Sequence, residues 1–225
     1  MDTVTKINEI FSSIQGEGPV VGYKQLFIRF CLCNLNCDYC DTEFLYGENY
    51  TSQALYEKIN NEFDLKTFHS ISLTGGEPLL SYRFLKEFLP LIKSQTKIYL
   101  ETNATLVNEF EKVKNLIDIV AADIKLPSCY AGISLFGNHE RFIKSCSGIE
   151  TFAKIVFDKN INQEEIDFCT SIGEKYNIEL ILQPKMEGDK ITVTPEFCEQ
   201  ILNLFTNKHS KTRLIPQVHK FLNVQ

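Results

Sequence analysis

Residues 33–40 read C-N-L-N-C-D-Y-C and bring three cysteines, Cys33, Cys37 and Cys40, close together in the chain. Spacers of three and then two residues let one loop wrap a corner of an iron–sulfur cube and supply a thiolate to each of three irons. A cluster that serves only electron transfer usually takes four cysteine ligands. Because a cube with three protein ligands leaves one iron open to a small molecule, the loop is predicted to be a chemical site.

Zinc is the main alternative occupant of this loop. A structural zinc site needs four ligands, commonly two separated pairs of cysteine or histidine. The other cysteines and the histidines of the chain are Cys31, Cys129, Cys146, Cys169, Cys198, His69, His139, His209 and His219. These cysteines contain no second C-x2-4-C pair, and the histidines do not cluster. A zinc knuckle completed from distant residues, in a module without catalytic activity, stays open.

Composition places the chain among compact, mildly acidic proteins. Its 225 residues are 44% hydrophobic, so residues 1–225 are predicted to form one α/β domain. A net charge of −6 without any basic run argues against a nucleic-acid partner. No stretch approaches the roughly 18 apolar residues of a membrane span, and the first ten residues lack the apolar run of a signal peptide. Eight cysteines in such a chain suit a reducing compartment, so a cytoplasmic protein is expected.

Apolar, β-branched runs alternate with segments of helical period along the chain. The predicted strands are Ile7–Ile14, Gln25–Cys31, His69–Leu73, Lys97–Glu101, Ile117–Ile124, Phe152–Phe157, Ile178–Leu182 and Arg213–Pro216. The predicted helices are Ser52–Phe63, Tyr82–Lys93, Leu106–Asn115, His139–Ser147, Gln163–Tyr176 and Pro195–Phe205. This alternation with short connections favours a parallel sheet covered by helices.

The chain is shorter than the usual eightfold β/α barrel. About six strand–helix units fit, so an incomplete, laterally open TIM-like β/α barrel is predicted. In such a fold the chemistry belongs at the C-terminal ends of the strands. Polar motifs follow several predicted strands: the cysteine loop, Thr74–Pro78, Glu101–Asn103, Asp123–Lys125 and Gln183-Pro184. These motifs are expected to gather at one mouth of the barrel.

The motif Thr74-Gly75-Gly76-Glu77-Pro78 joins a predicted strand to a predicted helix. Two glycines permit positive φ angles and close backbone approach, and proline suits a first helical turn. A plain strand-to-helix turn is the alternative interpretation. The segment is not a phosphate-binding P-loop, because no G-K-[ST] follows it.

Together, C-x3-C-x2-C and the downstream Gly-Gly-Glu-Pro resemble the radical S-adenosylmethionine (radical SAM) superfamily. The resemblance implies a [4Fe-4S] cluster whose open iron is chelated by the amino and carboxylate groups of the methionine moiety of SAM. It also implies that the backbone of the glycine pair receives this amino group. Electron transfer from the cluster then cleaves the sulfonium and yields a 5′-deoxyadenosyl radical.

Further segments make the chain similar to one family within this superfamily. They are Ser13–Gly18, Phe27–Arg29, Cys40–Thr42, Glu101–Asn103 and Gln217–Lys220. This constellation resembles the 7-carboxy-7-deazaguanine synthase family of queuosine and deazapurine biosynthesis. The resemblance implies a lyase that converts 6-carboxy-5,6,7,8-tetrahydropterin to 7-carboxy-7-deazaguanine with loss of ammonia. Activating enzymes of glycyl-radical proteins are the alternative, since they share the small size and a similar Gln-Gly-Glu segment.

The resemblance also implies which residues hold the cofactor. The expected contacts to SAM are Tyr39, Cys40, Asp41, Gly75, Gly76, Glu77, Asp123, Ile124, Lys125, Gln183, Pro184, Lys185 and Met186. Two departures from the family pattern stand out. The family usually shows Ser-Pro-Lys where this chain has residues 123–125, and a glycine where it has Leu32. Cys31 also lies close enough in sequence to compete with Cys33 as a ligand.

The expected substrate contacts are Ile14, Gln15, Gly16, Arg29, Thr74 and Gln225. Arg29 lies on an apolar strand, where a cation needs a partner. The resemblance implies that this partner is the substrate carboxylate, which arginine can bind bidentately; an internal salt bridge is the alternative. The free carboxylate of Gln225 would meet the guanidine-like edge of the pterin. Mg²⁺ prefers oxygen ligands and keeps several waters, so one protein hydroxyl with substrate oxygens can hold it. The resemblance implies that Thr42 supplies this hydroxyl; a threonine that only caps a turn is the alternative.

The expected partners follow from the resemblance as well. They are a small pterin substrate, an electron donor such as flavodoxin or ferredoxin, and a second copy of the chain in a homodimer. Neither a nucleic acid nor a membrane is expected among them.

Overall fold

Strands and helices alternate along the chain in this computed structural model, which describes residues 3–37 and 46–224. The strands are β1 Val4–Ile14, β2 Lys24–Phe30, β3 Glu48–Thr51, β4 Ser70–Gly75, β5 Lys97–Thr102, β6 Ile119–Ile124, β7 Glu150–Phe157, β8 Glu179–Pro184, β9 Met186–Glu187, β10 Lys190–Ile191 and β11 Thr212–Leu214. The helices are α1 Ser52–Glu62, α2 Tyr82–Ile92, α3 Val107–Phe110, α4 Phe136–Ser145, α5 Gln163–Tyr176, α6 Pro195–Thr206 and α7 Val218–Leu222. None of these helices is long and apolar enough to cross a membrane.

The main sheet has the strand order β11-β8-β7-β6-β5-β4-β2-β1-β3. From β2 to β11 all neighbouring strands pair in parallel. Six strand–helix units run from β2–α1 to β8–α6, the number that the sequence patterning predicts. Within the described residues β3 and β11 are the two edges and do not pair with each other, so the sheet is a laterally open, partial barrel.

The first strand departs from the predicted all-parallel arrangement. β1 pairs antiparallel with both β2 and β3. The reason is the short connection, residues 15–23, between β1 and β2. A parallel crossover needs about a dozen residues or more, whereas an antiparallel pair can be joined by a tight turn.

Some elements were not expected from the sequence or are shorter than expected. β3, the β9–β10 hairpin and α7 were not predicted. The predicted helix Leu106–Asn115 is reduced to the four residues of α3, followed by a short 3-10 helix, Lys114–Leu116. No side chain caps the start of α3, which leaves its first amide groups without the stabilisation that a capping oxygen gives.

The pleat of the strands divides their side chains between two environments. On the outer face, residues such as Leu100 and Ile155 pack against the helices in the main hydrophobic core. Inside the barrel a second, smaller cluster contains Val20, Tyr99, Ile119, Ala121, Phe152 and Ile181. Successive side chains alternate between the two faces of a strand. On each strand, the next inward-facing residue toward the C-terminal end therefore points into the space above this cluster. The inner cluster therefore forms the floor of a cavity.

Candidate functional site

A cavity of about 400 Å³ opens at the C-terminal ends of the parallel strands. Six neighbouring strands each contribute one inward polar side chain at corresponding positions, besides other lining residues: Arg29, Thr74, Glu101, Asp123, Lys154 and Gln183. They lie on the same face of the sheet as Tyr99 and Phe152 of the floor, which period-2 alternation requires. The predicted gathering of polar motifs at one mouth is therefore present.

Gly75 and Gly76, the glycine pair, form a wall of this cavity that consists of backbone atoms alone. Gly75 has a φ angle of 102°, a conformation that favours glycine. The amide of Gly76 donates to the carbonyl of Phe30 at 2.9 Å, and the amide of Glu77 donates to the carbonyl of Leu32 at 2.6 Å. A Cβ atom on Gly76 would lie 2.0 Å from the Leu32 oxygen. The pair is thus packed directly against the start of the cysteine loop.

Gly76→Ala is expected to destabilise the protein by about 1–3 kcal/mol and to lower its iron content, because the added methyl group must push the loop backbone away. Urea unfolding and iron analysis after reconstitution measure the two effects. Gly137→Ala is the matched control, since a Cβ atom there meets nothing within 4 Å. Equal behaviour of the two variants would contradict the packing argument.

Two of the three motif cysteines, Cys33 and Cys37, line the cavity. The sulfur of Cys33 accepts a hydrogen bond from the amide of Leu35 at 3.4 Å. Five sequence-predicted site residues lie outside the described residues, and their predicted roles stay predictions: Tyr39, Cys40, Asp41, Thr42 and Gln225.

Cys31 does not face the cavity. It is buried, its thiol contacts the carbonyl oxygen of Tyr46 at 3.4 Å, and it packs against Gly47. Burial raises the pKa of its thiol, which disfavours the thiolate that a metal requires. Within the described part of the chain, Cys31 therefore acts as a small buried side chain rather than as a competitor of Cys33.

Glu77 fastens the ends of two strands instead of facing the cavity. Its carboxylate accepts hydrogen bonds from the amides of Leu79 at 3.1 Å and Asn103 at 2.8 Å, and from the hydroxyl of Thr102 at 2.9 Å. Burial raises the pKa of Glu77 to about 7, although these bonds oppose the shift. The carboxylate of Glu77 is therefore engaged within the protein, and the expected contact of Glu77 with the cofactor stays a prediction.

Glu101 lines the cavity, although it was predicted only as part of a motif and not as a site residue. One carboxylate oxygen accepts from the side-chain amide of Gln15 at 3.0 Å and the hydroxyl of Ser72 at 3.2 Å. The other accepts from Thr74 at 3.1 Å. Its position at the C-terminal end of a predicted strand was the signal that could have identified it.

A buried ion pair joins Glu17 and Lys154 beside the cavity, with side-chain exposures of 13% and 9%. Glu17 also accepts from the side-chain amides of Gln183 at 3.2 Å and Gln217 at 2.8 Å. Burial alone would raise the pKa of Glu17, but the charge and hydrogen bond of Lys154 lower it to about 2. Lys154 was missed, although a lysine in an apolar strand is the same kind of signal that drew attention to Arg29.

Gln183 has a fixed orientation with respect to the cavity. Its side-chain NH₂ group donates to Glu17, which can only accept. Its side-chain oxygen is buried and finds no hydrogen-bond partner among the described residues. An orphaned acceptor in a cavity wall is suited to a ligand N–H group.

Arg29 lines the cavity and also has partners within the protein. Its Nε atom lies 3.1 Å from a carboxylate oxygen of Glu9, and its guanidinium lies 5.3 Å from the centre of the Phe11 ring. The internal salt bridge, the alternative considered from the sequence, is therefore present. Contact with a substrate carboxylate stays a prediction, which the location in the cavity permits.

The segment after β6 is split between the cavity and the core. Asp123 and Lys125 line the cavity and form an ion pair, with 2.8 Å between Lys125 Nζ and Asp123 Oδ2. The side chain of Ile124 is fully buried in the outer hydrophobic core, and the expected contact of Ile124 with the cofactor stays a prediction. The same alternation turns Pro184 away, whereas Gln183, Lys185 and Met186 line the cavity.

The C-terminal helix α7 closes one side of the cavity. The amide of Val218 donates to the carbonyl of Gly16 at 2.9 Å, and a Cβ atom on Gly16 would lie 2.4 Å from Nδ1 of His219. Gly16 is therefore needed for close packing of α7. Ile14, Gln15 and Gly16, all predicted to contact the substrate, line the cavity next to this helix.

The donor set of the cavity fits an iron–sulfur cluster with an anionic ligand. Two thiols lie on its wall beside the bare backbone of the glycine pair. Among residues 3–37 and 46–224, five basic side chains line it, Arg29, Lys125, Lys154, Lys185 and Lys220, against three acidic ones, Glu17, Glu101 and Asp123. In a chain of net charge −6, the excess of basic side chains in this described part of the lining attracts anions.

Comparisons with known proteins agree with this geometry. Residues 27–156 match the sequence model of the radical SAM superfamily. The 7-carboxy-7-deazaguanine synthase of Geobacter sulfurreducens is 34% identical over 242 residues, covering 96% of this chain and 96% of that enzyme. The enzyme of the same name from Archaeoglobus fulgidus is 32% identical and covers 96% of this chain and 97% of its own length. The crystal structure of QueE from Escherichia coli has a TM-score of 0.66 at 19% identity, covering 96% of this chain and 95% of that one, and confirms the fold.

Proposed function

Because this chain belongs to the 7-carboxy-7-deazaguanine synthase family of the radical SAM superfamily, we propose that it converts 6-carboxy-5,6,7,8-tetrahydropterin to 7-carboxy-7-deazaguanine. The reaction releases ammonia and serves queuosine and 7-deazapurine biosynthesis. One observation carries the proposal: thiols, a bare glycine wall and a mixed set of charged side chains surround a single cavity of about 400 Å³. A cavity of this size is typical of small-molecule sites.

Cys33 and Cys37, together with Cys40 from the sequence motif, hold the [4Fe-4S] cluster in this proposal. When bound, the cluster supplies the electron that cleaves the sulfonium of SAM. The backbone of Gly75 and Gly76 binds the amino group of the methionine moiety, since no side chain shields it. The remaining proposed SAM contacts are Tyr39, Asp41, Asp123, Lys125, Gln183, Lys185 and Met186, with Glu77, Ile124 and Pro184 limited to their backbone.

The substrate is proposed to lie between β1, β2 and β5. The carboxylate of Glu101, held by three hydrogen bonds, offers acceptors to the N–H groups of the pterin. Arg29 can turn from Glu9 to the substrate carboxylate, because the Glu9 side chain is 42% exposed and such an exposed pair contributes little. Ile14, Gln15, Gly16, Thr74 and Gln225 provide the other proposed contacts.

Anaerobic incubation of the reconstituted protein with carboxytetrahydropterin, SAM, dithionite and Mg²⁺ tests the function. The expected result is the deazaguanine product and one equivalent of ammonia. Cleavage of SAM without this product would contradict the proposed substrate. Turnover that required a second protein carrying a glycine radical would instead support the activating-enzyme alternative.

Thr42 is proposed to supply the protein oxygen for Mg²⁺, with substrate oxygens and waters completing the shell. Thr42→Ala is therefore expected to lose most of the stimulation by Mg²⁺ while the absorption spectrum of the cluster stays unchanged. Product formation over a Mg²⁺ titration is the measurement. Thr67→Ala, on an exposed turn, is the control. Full Mg²⁺ stimulation in Thr42→Ala would contradict the proposed role of Thr42 as a Mg²⁺ ligand.

The remaining proposals concern the setting of the enzyme. Residues 1–225 act as one domain, the electron comes from a flavodoxin or ferredoxin, and two copies form a homodimer in the cytoplasm. Light scattering during size-exclusion chromatography measures the assembly, and a monomer at micromolar concentration would contradict the dimer.

A further inference from the structure

Asn103 connects the end of β5 to the cysteine loop. Its side-chain nitrogen Nδ2 lies 2.8 Å from Oδ1 of Asn34 and 3.9 Å from the sulfur of Cys33. The residue is only 8% exposed, so its side chain is held away from bulk water. Neither a substrate nor a SAM contact was expected for it from the sequence.

The orientation of the Asn103 amide follows from its neighbours. Its oxygen Oδ1 accepts from the backbone amide of Thr105 at 3.2 Å and from the Thr105 hydroxyl at 2.6 Å. Because a backbone N–H can only donate, the oxygen must face Thr105. The NH₂ group must then face Asn34 and Cys33.

The backbone of Asn103 is fixed as well. Its amide donates to the buried carboxylate of Glu77 at 2.8 Å. The next amide, that of Ala104, donates to the hydroxyl of Thr102 at 3.2 Å. Asn34 is also held from its other side, since its Nδ2 donates to the hydroxyl of Thr105 at 3.0 Å. The donor beside Cys33 is therefore preorganised rather than mobile.

We propose that Asn103 raises the reduction potential of the cluster by donating an N–H···S hydrogen bond to the thiolate of Cys33. The inference rests on the proposed function, in which Cys33 is a cluster ligand. One-electron reduction adds a negative charge that spreads onto the sulfur ligands, so a donor to sulfur stabilises the reduced state more than the oxidised state. Hydrogen bonds to sulfur are among the factors that set the potentials of such clusters.

Asn103→Leu keeps the approximate size of the side chain and removes the donor. Reduction of the reconstituted wild-type and variant proteins with dithionite, followed by electron paramagnetic resonance at defined potentials, measures the midpoint of the cluster. We expect the ratio of reduced to oxidised cluster at a fixed potential to fall several-fold, up to about tenfold, which equals about 59 mV for a one-electron couple. Iron content and the absorption spectrum verify that the cluster is intact.

Asn34→Ala is the matched control, because it breaks the same network beside the same cysteine but leaves the Asn103 donor in place. Its potential should stay unchanged or rise, since Nδ2 loses its competing acceptor. An unchanged midpoint in Asn103→Leu, or an equal fall in Asn34→Ala, would overturn the proposal.

Asn103→Ala, which removes the donor without adding bulk, replaces Asn103→Leu if the latter binds no cluster. Loss of the cluster in both variants would show that Asn103 is needed for cluster binding, and this result would also overturn the proposal. Failure of the proposed function is distinguishable, because it would appear as a wild-type protein without a redox-active cluster or without product.

Discussion

Cys33→Ala is expected to lose the [4Fe-4S] cluster and all product formation, whereas Cys31→Ala should keep both. The two thiols are close in sequence but point in different directions. Cys33 lines the cavity, and Cys31 is buried against the carbonyl of Tyr46. A cluster that needs three protein thiolates cannot be held by the remaining two, and the pKa of Cys31 is raised by burial, so it is a poor substitute.

Iron and sulfide analysis after anaerobic reconstitution, with the absorption spectrum, measures cluster binding in both variants. Cys31→Ala is expected to cost about 1 kcal/mol of stability, the usual size for a single buried substitution. The roles assigned to these two cysteines would be wrong if the cluster persisted in Cys33→Ala. They would also be wrong if a folded Cys31→Ala variant lost the cluster.

Lys154→Met is expected to lower the free energy of unfolding by about 3–5 kcal/mol, since it leaves the Glu17 carboxylate buried without its cation. The hydrogen bonds from Gln183 and Gln217 compensate only part of this charge. In the double variant Glu17→Gln/Lys154→Met no charge is left unpaired, so most of the lost stability should return. Chemical unfolding of the wild type, both single variants and the double variant gives the coupling energy of the pair.

Lys58→Met is the matched control for this cycle. Lys58 pairs with Glu62 on the exposed face of α1, with 2.9 Å between the charged atoms. Exposed pairs of this kind contribute less than about 1 kcal/mol, so the variant should differ little from the wild type. If Lys154→Met lost no more stability than Lys58→Met, the Glu17–Lys154 pair would not be isolated from water.

The same pair predicts an acid dependence of stability. The pKa of Glu17 in the folded protein is about 2, below its ordinary value of 4.5. Its contribution is therefore fully present above about pH 4.5 and is lost as the pH falls toward 2. In Lys154→Met burial dominates and raises the pKa of Glu17. The difference in the free energy of unfolding between the wild type and this variant should therefore shrink as the pH is lowered. Unfolding curves between pH 3 and 7 measure both trends.

The fold class was accessible from the sequence because the signals that define it are local. Helix α2 buries Phe84, Leu85, Phe88, Leu89 and Ile92, the face that the 3.6-residue period predicts. The length of the chain and its strand–helix alternation gave the open barrel. The antiparallel β1 required attention to loop length, and the short helix α3 depends on tertiary packing more than on its own propensity.

The local sequence alone determined the loop of three cysteines and the glycine pair, because a ligand set confined to eight residues needs no knowledge of the fold. The family followed from the resemblance of these and further segments to known proteins. Only the tertiary structure decided which residues far apart in sequence contact each other and which of them line the cavity. It pairs Glu17 with Lys154, turns Glu77 and Ile124 away from the cavity, and places Asn103 beside Cys33. The reason is physical: the pleat of each strand and the register between strands set which side chains share a face, and this is a property of the assembled sheet.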